Sequence, residues 1–309
     1  MKKLWKAEEN RAAFGYARRI TAHYSKSFYY SAQMLPREQR WATFALYGFC
    51  RHCDNLIDTP RQRSETEILR EIQRLTEELL VAYNTGESQH PIIRAFILVA
   101  KVYGIPIAYP LDLLNGVAMD VQKARYKTFD ELTLFCYRVA AVVGLMMTYV
   151  LGYKDERAFR YAKQLGIAMQ LTNILRDVKE DKEMGRIYIP QTDLAQFGVT
   201  EQDILDEKMT PQLRSLIKFQ IERADRYYTE AIPGISLLKT ESQYAIYSAA
   251  RIYRGILKKI EECDYNPFLS RVFVPSTQKI KILLHEGLRT KVLSAQEKLF
   301  PAHSGIIHK

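Results

Sequence analysis

The sequence predicts an all-α protein that folds as one domain. Apolar residues recur at three- and four-residue spacing along almost the whole 309-residue chain, which is typical of helices with one buried face. Only 14 glycines and 11 prolines interrupt this pattern, and no low-complexity linker or repeat period marks a domain boundary. We therefore expect a single domain over residues 1–309, with 47% apolar residues to form its core.

Ten helices are predicted, and several have recognisable start signals. In chain order they span residues 8–30, 37–58, 65–84, 91–103, 110–124, 129–151, 156–183, 212–231, 241–263 and 277–297. Ser64, Thr128 and Thr240 each precede a Glu or Gln by three residues, as in a capping box. The stretch FLSRVFV, residues 268–274, alternates in the way that strands do.

The charge of the chain predicts an anionic partner. Lysine and arginine exceed the acids by 45 to 35, a net charge of +10, which fits nucleic acid, a membrane surface or a phosphorylated substrate. The basic residues are spread along the chain and form no basic arm, which disfavours nucleic acid. The N-terminal MKKLWKAEENR has no apolar signal-peptide core, and the apolar run from Val139 is shorter than the roughly 20 residues of a spanning helix. We expect a cytoplasmic protein, with peripheral membrane contact left open and no protein partner deducible.

The four cysteines do not form a disulfide framework or a metal site in this interpretation. They are few and scattered. Cys50 and Cys53 make a C-x-x-C, but the chain has no second pair for zinc, and no strand precedes them as in a redox motif. We expect two thiols in the core.

Two acids stand out in the apolar helix that contains YGFCRHCDNLID. Asp54 and Asp58 are four residues apart, so they lie one turn apart on one face. Tyr47 and Arg51 continue that face towards the N-terminus and make it a polar seam. Taken alone, this seam is equally well explained as a solvated face near the end of a helix.

A second acid pair changes this interpretation. A later predicted helix carries four polar residues on one face, at steps of three, four and four. They are Gln170, Asn173, Asp177 and Asp181. Four carboxylates that converge would raise each other's pKa or require cations. Magnesium prefers oxygen ligands and typically takes one or two carboxylates together with substrate phosphates and water. Arginines near both pairs, Arg51, Arg176 and Arg186, favour a diphosphate held between metal and guanidinium groups.

Three segments resemble the signature blocks of the squalene and phytoene synthases, which join two prenyl diphosphates head to head. They are YGFCRHCDNLID, FCYRVAAVVGLMM and MQLTNILRDVKEDKEMGRIYIP. Further similar segments are SKSFYYSAQMLP, MDVQKARYKTFDEL and AARIYRGIL…SRVFVP, so the resemblance covers roughly residues 14–275. It implies an isoprenoid-synthase helical bundle whose central cavity binds two prenyl diphosphates with magnesium, or with manganese in place of magnesium.

The resemblance also implies a reaction and a set of site residues. One diphosphate ionises, the other chain attacks the allylic cation, and the cyclopropylcarbinyl diphosphate that results ionises in turn. Proton loss or hydride from NADPH ends the reaction in the family, and NADPH is not expected for this protein. The implied metal ligands are Asp54, Asp58, Asn173, Asp177 and Asp181. The implied diphosphate-binding residues are Ser25, Lys26, Arg51, Arg176, Arg186, Tyr188, Tyr253 and Arg271. The implied prenyl-channel residues are Phe28, Tyr47, Phe135, Ala140, Val143, Gly144 and Gln170.

Two departures from the family pattern concern product control. Phe135 stands where the family usually has tyrosine, and Ala141 where it usually has glycine. The expected reaction joins two geranylgeranyl diphosphates to phytoene in carotenoid synthesis. The alternatives are farnesyl diphosphate as substrate, giving dehydrosqualene or squalene, and a non-catalytic scaffold, which would have no reason to keep four acids. Ala32, a small residue on the helix after Ser25, is expected to leave the channel open for the longer chain.

Overall fold

A computed structural model describes residues 4–58, 63–269 and 271–299, without the side chains of 26, 27, 58 and 290–299. Within these residues the regular elements are helices and there is no strand, only two isolated bridges, Arg125 with Ile187 and Tyr153 with Leu238. The all-α prediction is therefore confirmed. The buried hydrophobic residues form one cluster that extends from Trp5 to Val274, and the single-domain interpretation stays a prediction.

The described chain contains fifteen α-helices. They are α1 Glu8–Tyr24, α2 Lys26–Ala32, α3 Arg37–Asp58, α4 Glu65–Thr85, α5 Pro91–Tyr103, α6 Ala108–Gln122, α7 Phe129–Cys136, α8 Val142–Leu151, α9 Arg157–Arg176, α10 Val178–Glu183, α11 Gln191–Phe197, α12 Glu201–Leu205, α13 Pro211–Ala231, α14 Thr240–Glu262 and α15 Ser276–Leu299. A π-helical turn, Tyr137–Ala141, joins α7 to α8, and 3₁₀ turns span Leu4–Lys6 and Ile232–Leu237.

Three predicted helices are interrupted at points that matter for function. The first breaks at Ser25, whose hydroxyl accepts a hydrogen bond from the Phe28 N–H (3.4 Å) and so caps α2. The segment 129–151 contains the π turn, which inserts an extra residue into the helix. The segment 156–183 breaks at Asp177, which ends α9 and precedes α10. We expected Asp177 and Asp181 to lie on one continuous helix, and the structure shows that they do not.

The predicted start signals differ in outcome. Ser64 forms a complete capping box with Glu67. Thr128 accepts from the Glu131 N–H, but the Glu131 carboxylate accepts from Lys127 N–H instead of closing the box. Thr240 is the first residue of α14 and Lys239 occupies the N-cap position, so the prediction that Thr240 is the N-cap was wrong.

Two short helices and one irregular segment also differ from the predictions. Helices α11 and α12 were missed, although Thr200 and Asp203 form a capping box before α12. Residues 271–275 are irregular where a strand-like segment was predicted, and Ser270 lies outside the described residues. Phe268 and Val274 are nevertheless buried, so the apolar alternation reflects packing and not strand pairing.

Helix α9 occupies the centre of the fold and packs against α8, α13, α14 and the π turn. Glycines allow this close approach. A Cβ atom on Gly166 would lie 2.5 Å from the Ala141 Cα, and one on Gly144 would lie 2.9 Å from the Ala162 carbonyl oxygen. The backbones of α9, α8 and the π turn therefore touch, and this contact sets the position of the second acid motif relative to the rest of the bundle.

One described helical stretch is long and apolar enough to cross a membrane by length and composition. It runs from Phe129 to Leu151, with a mean hydropathy of 1.8 in its most apolar window, half of which is buried. The expectation that no segment reaches a spanning length was too strict. This stretch packs against α6 and α9, and burial inside a bundle explains the same apolar composition.

Candidate active site

A cavity of about 600 Å³ lies among α2, α3, α6, the α7 to α8 segment, α9 and α14. Its volume falls within the range of small-molecule sites, about 300–1,000 Å³. The predicted site residues that line it are Phe28, Tyr47, Arg51, Asp54, Phe135, Ala140, Val143, Gly144, Gln170, Asn173, Arg176, Asp177, Tyr188 and Tyr253. Both acid motifs, 123 residues apart in sequence from Asp54 to Asp177, thus face one cavity.

The cavity wall has a polar part and an extensive apolar part. The apolar part, which sequence reasoning mostly missed, includes Val117, Met147, Leu151, Leu165, Met169, Ile235, Leu238 and Ile246. These residues are spread over four helices and the 3₁₀ turn with the residue that follows it, and any one of them looks like ordinary core in the sequence. An apolar chamber joined to a charged region suits an amphiphile with an anionic head and a hydrocarbon tail.

Asp177 is the most heavily contacted acid of the polar part. Arg176 donates to it from Nε to Oδ1 (2.7 Å) and from Nη2 to Oδ2 (2.5 Å). Arg271, 94 residues further on, contacts the same oxygens at 2.8 and 2.9 Å. Arg271 is therefore paired with a site acid, while 44% of its side chain stays exposed, and its role in binding diphosphate stays a prediction. The two guanidinium groups together more than balance the charge of Asp177, so this part of the site carries a local excess of positive charge.

Asp181 lies just beyond the cavity wall, next to Arg186 and Tyr188. Burial raises the pKa of its carboxyl to about 8, with further increases from the charges of Asp177 and Asp120 and an opposing effect of Arg186. The expectation that convergent carboxylates raise each other's pKa therefore holds here. A cation beside this group would favour its charged form.

Asp120 on α6 is a site residue that sequence reasoning did not single out. The Tyr188 hydroxyl donates to its Oδ1 at 2.6 Å, and Arg186 Nη2 lies 3.5 Å from its Oδ2. Burial raises the pKa of Tyr188, and the charge and hydrogen bond of Asp120 raise it further, so the phenol keeps its proton. Asp120 lies in MDVQKARYKTFDEL, one of the segments that resemble the family, and this position could have identified it. The sequence analysis gave Asp120 no role.

The first acid motif is supported by aromatic residues. Phe28 stacks on Tyr47 with ring centroids 4.9 Å apart, and the Arg51 guanidinium lies 4.4 Å from the Tyr24 ring centroid. Burial raises the pKa of Tyr47, and a hydrogen bond from Ser25 and the charge of Arg51 lower it. Ser25 therefore acts on the cavity through Tyr47 and does not itself line it.

Some predicted residues fall outside the described site. The side chains of Asp58 and Lys26 lie outside the described residues. Ala32 is buried but does not line the cavity. The expected role of Ala32 at the end of the channel was therefore wrongly placed, because Phe28 is the α2 residue in the wall.

The described residues contain donors suited to a hard cation but no complete metal site. No group of three or more His, Cys, Asp or Glu side chains among them is placed to hold a metal ion. The Asn173 Oδ1 atom is buried without a hydrogen-bond partner, while its amide nitrogen donates to Gln170 (3.3 Å). This oxygen and the carboxylates fit magnesium if diphosphate oxygens and water complete the coordination.

Comparisons with known proteins cover this whole site. A family model described as squalene/phytoene synthase matches residues 21–278. The chain is 40% identical to the phytoene synthase of Arthrospira platensis over 291 residues, covering 89% of this chain and 93% of that protein. It is 38% identical to the 15-cis-phytoene synthase of Synechocystis sp. over 294 residues, covering 91% and 86%.

Solved structures agree with these sequence matches. The fold is similar to a dehydrosqualene synthase in complex with ligand, with a TM-score of 0.84 and 31% identity, covering 92% of this chain and 99% of that one. It is also similar to a squalene synthase of Alicyclobacillus acidocaldarius, with a TM-score of 0.78 and 28% identity, covering 84% and 97%.

Proposed function

The chain belongs to the squalene/phytoene synthase family, and we propose that it is a prenyltransferase that joins two geranylgeranyl diphosphates head to head to give phytoene. The observation that carries this proposal is one cavity in which two separate acid motifs, with Arg51 and Arg176, meet an extensive apolar wall. The relatives named phytoene synthase support the twenty-carbon substrate. The similarity to a dehydrosqualene synthase supports the same head-to-head chemistry and, weakly, the fifteen-carbon alternative.

The first step breaks the C1–O bond of one substrate, and the electron pair leaves with the diphosphate. Arg51 and Arg176 stabilise the charge that develops on this leaving group, because preorganised cations act most strongly in a partly buried site. Asp54, Asp58, Asn173, Asp177 and Asp181 would hold magnesium, or manganese, and the bound ion supplies further positive charge to the diphosphate. Arg271, which contacts Asp177, adds positive charge next to this group of acids.

The second step joins the two chains. The double bond of the second substrate attacks the allylic C1, a proton is lost, and a cyclopropylcarbinyl diphosphate forms. The wall holds the two tails side by side and excludes water, which would otherwise quench the cation. Phe28 and Tyr47 line the cavity and their rings stack on each other, and aromatic rings near a cation stabilise it by electrostatic attraction.

The last step releases the second diphosphate, rearranges the carbon skeleton and loses a second proton. No hydride is consumed, so the reaction needs no NADPH. Phe135 packs against Tyr188 with ring centroids 5.3 Å apart. A phenylalanine at this position adds no hydroxyl to the cavity, which keeps this part of the wall free of a nucleophile that could trap the cation.

Incubation of the purified protein with each prenyl diphosphate tests the proposal. We expect a forty-carbon hydrocarbon from geranylgeranyl diphosphate, dependent on magnesium and independent of NADPH. A predominantly thirty-carbon product when both substrates compete in one tube would overturn the substrate assignment. The absence of any hydrocarbon with either substrate and metal would favour the scaffold alternative.

The cytoplasmic location and the absence of a nucleic-acid partner stay predictions. Nucleic-acid binding would weaken steeply with salt and would need no divalent ion. A filter-binding titration at two salt concentrations measures this directly, and we expect no specific retention.

A further inference from the structure

Helix α10 carries Asp181 but has little apolar surface to hold it in place. It has six residues, of which Val178 is the only buried one, and the break at Asp177 separates it from α9. A helix this short is not stable in water by itself. The position of Asp181 therefore depends on polar contacts that α10 and the turn after it make with the rest of the bundle.

The turn after α10 lies alongside the connection between α6 and α7. The Ile187 N–H donates to the Ala124 carbonyl oxygen at 3.0 Å, and Ile187 belongs to the buried hydrophobic cluster. Its neighbours Arg186 and Tyr188 both contact Asp120 in the cavity wall. The path of this turn therefore decides where two of the implied diphosphate-binding residues lie.

Arg125 joins the three parts of the chain that meet at this turn. Its Nη1 donates to the Gly185 carbonyl oxygen at 2.6 Å and to the Ala124 carbonyl oxygen at 2.8 Å. Its Nε donates to Glu201 Oε2, on α12, at 2.8 Å. Gly185 directly precedes Arg186, and its φ of +76° is one that favours glycine. Arg125 therefore holds the carbonyl group at which the chain turns back towards the cavity.

The peptide bond between Gly185 and Arg186 is held on both sides. Arg125 donates to its carbonyl oxygen, and its N–H donates to the Asp181 carbonyl oxygen at 2.8 Å. Because a peptide bond is planar and rigid, a shift of the carbonyl group also shifts the N–H. Arg125 thus constrains Asp181 and Arg186 together, although its own side chain does not line the cavity.

We propose that Arg125 is a positioning residue for the second acid motif and acts through this peptide bond. The inference rests on the proposed function, because it takes Asp181 and Arg186 to bind magnesium and diphosphate. In this scheme Arg125 itself contacts neither. Replacing a residue that orients metal-binding groups typically lowers metal affinity or activity about 10- to 100-fold. That loss is the expected signature of Arg125.

The stability of the fold depends much less on this arginine. The side chains of Arg125 and Glu201 are 27% and 37% exposed, and partly exposed ion pairs contribute little to stability. Lys182 also ties α10 to the end of α12, because its Nζ donates to the Leu205 carbonyl oxygen at 3.1 Å. Loss of Arg125 should therefore move the turn without unfolding α10.

Magnesium binding, measured without turnover, is the first test. The melting temperature is followed in saturating inorganic diphosphate as magnesium is added. Arg125→Gln should raise the magnesium concentration that gives half of the temperature increase by at least about tenfold. Arg125→Lys keeps the charge but not the planar fork of donors. It should shift the magnesium response in the same direction and melt close to the parent.

Steady-state kinetics at saturating magnesium are the second test. For Arg125→Gln, kcat should fall by about 10- to 100-fold. The KM for geranylgeranyl diphosphate should stay near the parent value, because a misplaced motif affects the departing diphosphate more than the binding of the tail. Glu201→Gln should show a smaller loss of the same kind. The double variant should be no worse than Arg125→Gln alone, since both changes disturb one contact.

Arg94→Gln is the matched control, because Arg94 is a partly buried arginine that joins two helices outside the cavity. Its Nε and Nη2 both donate to Asn10 Oδ1 at 3.2 Å, which links α5 to α1. We expect this variant to lose stability while keeping the magnesium response and the kcat of the parent at matched folded fraction.

Parent-like magnesium response and kcat in both Arg125 variants would overturn the proposal. Equal losses in Arg94→Gln at matched folded fraction would also overturn it, because a general loosening of the fold would then explain them. A parent that binds magnesium with diphosphate but forms no hydrocarbon would refute the proposed function. The positioning role would then still stand on the shifted magnesium response of the Arg125 variants.

Discussion

Replacing Asp177 by asparagine removes the charge at the centre of the polar site while keeping the size of the side chain. In the parent, Arg176 and Arg271 contact its two oxygens at 2.5 to 2.9 Å. The neutral amide would leave two guanidinium groups near each other without their counter-charge and would coordinate magnesium weakly. We expect both stability and turnover to fall, by different amounts.

The structure sets the size of each loss. Breaking a fully buried ion pair costs about 3–5 kcal/mol, but the Arg271 side chain is 44% exposed and solvent screens its part. We therefore expect the free energy of unfolding to fall by about 1–2 kcal/mol. Loss of one electrostatic contributor to leaving-group stabilisation should lower turnover by roughly 10²- to 10³-fold, which corresponds to about 3–4 kcal/mol in the barrier.

Asp193→Asn is the matched control, because Asp193 is a buried acid paired with an arginine outside the cavity. Its side chain is 7% exposed and contacts Arg223 and Gln220. We expect this variant to lose at least as much stability as Asp177→Asn. Its turnover per folded molecule, measured well below the melting temperature, should match the parent.

Two measurements decide the outcome. Hydrocarbon formation gives turnover, and thermal melting with magnesium and inorganic diphosphate, separately and together, reports ligand binding by mass action. The pair of ligands should stabilise the parent and Asp193→Asn but not Asp177→Asn. Parent-level turnover by Asp177→Asn, or an equal loss in Asp193→Asn at matched folded fraction, would refute the role assigned to this carboxylate.

Three further predictions concern the metal, the packing of α9 and acid stability. Chelation with EDTA should abolish turnover and magnesium should restore it, because the described acids form no complete metal site without diphosphate. Gly166→Ala should cost about 1–3 kcal/mol of stability, since its Cβ would lie 2.5 Å from a Cα of the π turn. Burial, and to a lesser extent His90, lower the pKa of His52 to about 4, against an opposing effect of Glu78. As the pH falls, the unfolded chain therefore binds this proton before the folded protein does. The free energy of unfolding has its full value above pH 6.5. It should fall by about 2 kcal/mol as the pH drops towards 4, after allowance for solvent screening of the partly exposed ring.

Each of these predictions has a control that the chain itself provides. Gly15→Ala is the control for Gly166→Ala, because its Cβ would meet only the flexible end of Arg19 at 3.7 Å; this change should stabilise α1 by about 0.5–1 kcal/mol. Urea unfolding at several pH values measures the acid effect, and His52→Gln should flatten the curve between pH 6.5 and 4. An unchanged slope in that variant, full turnover in EDTA, or equal stability of both alanine variants would contradict the corresponding reasoning.

The sequence alone determined the helical architecture and the side chains that share one helix face. Helical periodicity is a local property of the sequence. It correctly predicted most helices because the apolar face of a helix can be recognised from the residues of that helix alone. The spacing of Asp54 from Arg51, and of Asp177 from Asn173, likewise places these side chains on one face within a single helix. That two such faces share one cavity was an expectation from the family resemblance, and the structure brings Asp54 and Asp177 to one cavity.

Only the tertiary structure decided how distant parts of the chain meet. Arg271 contacts Asp177 across 94 residues, and the Tyr188 hydroxyl reaches Asp120 across 68; no local pattern encodes either pair. The break at Asp177, which removes Asp181 from the expected helical face, depends on neighbours that pack against it. Periodicity records which face of a segment is apolar, whereas the partner that covers that face, or fails to cover it, is set by the packing of the whole bundle.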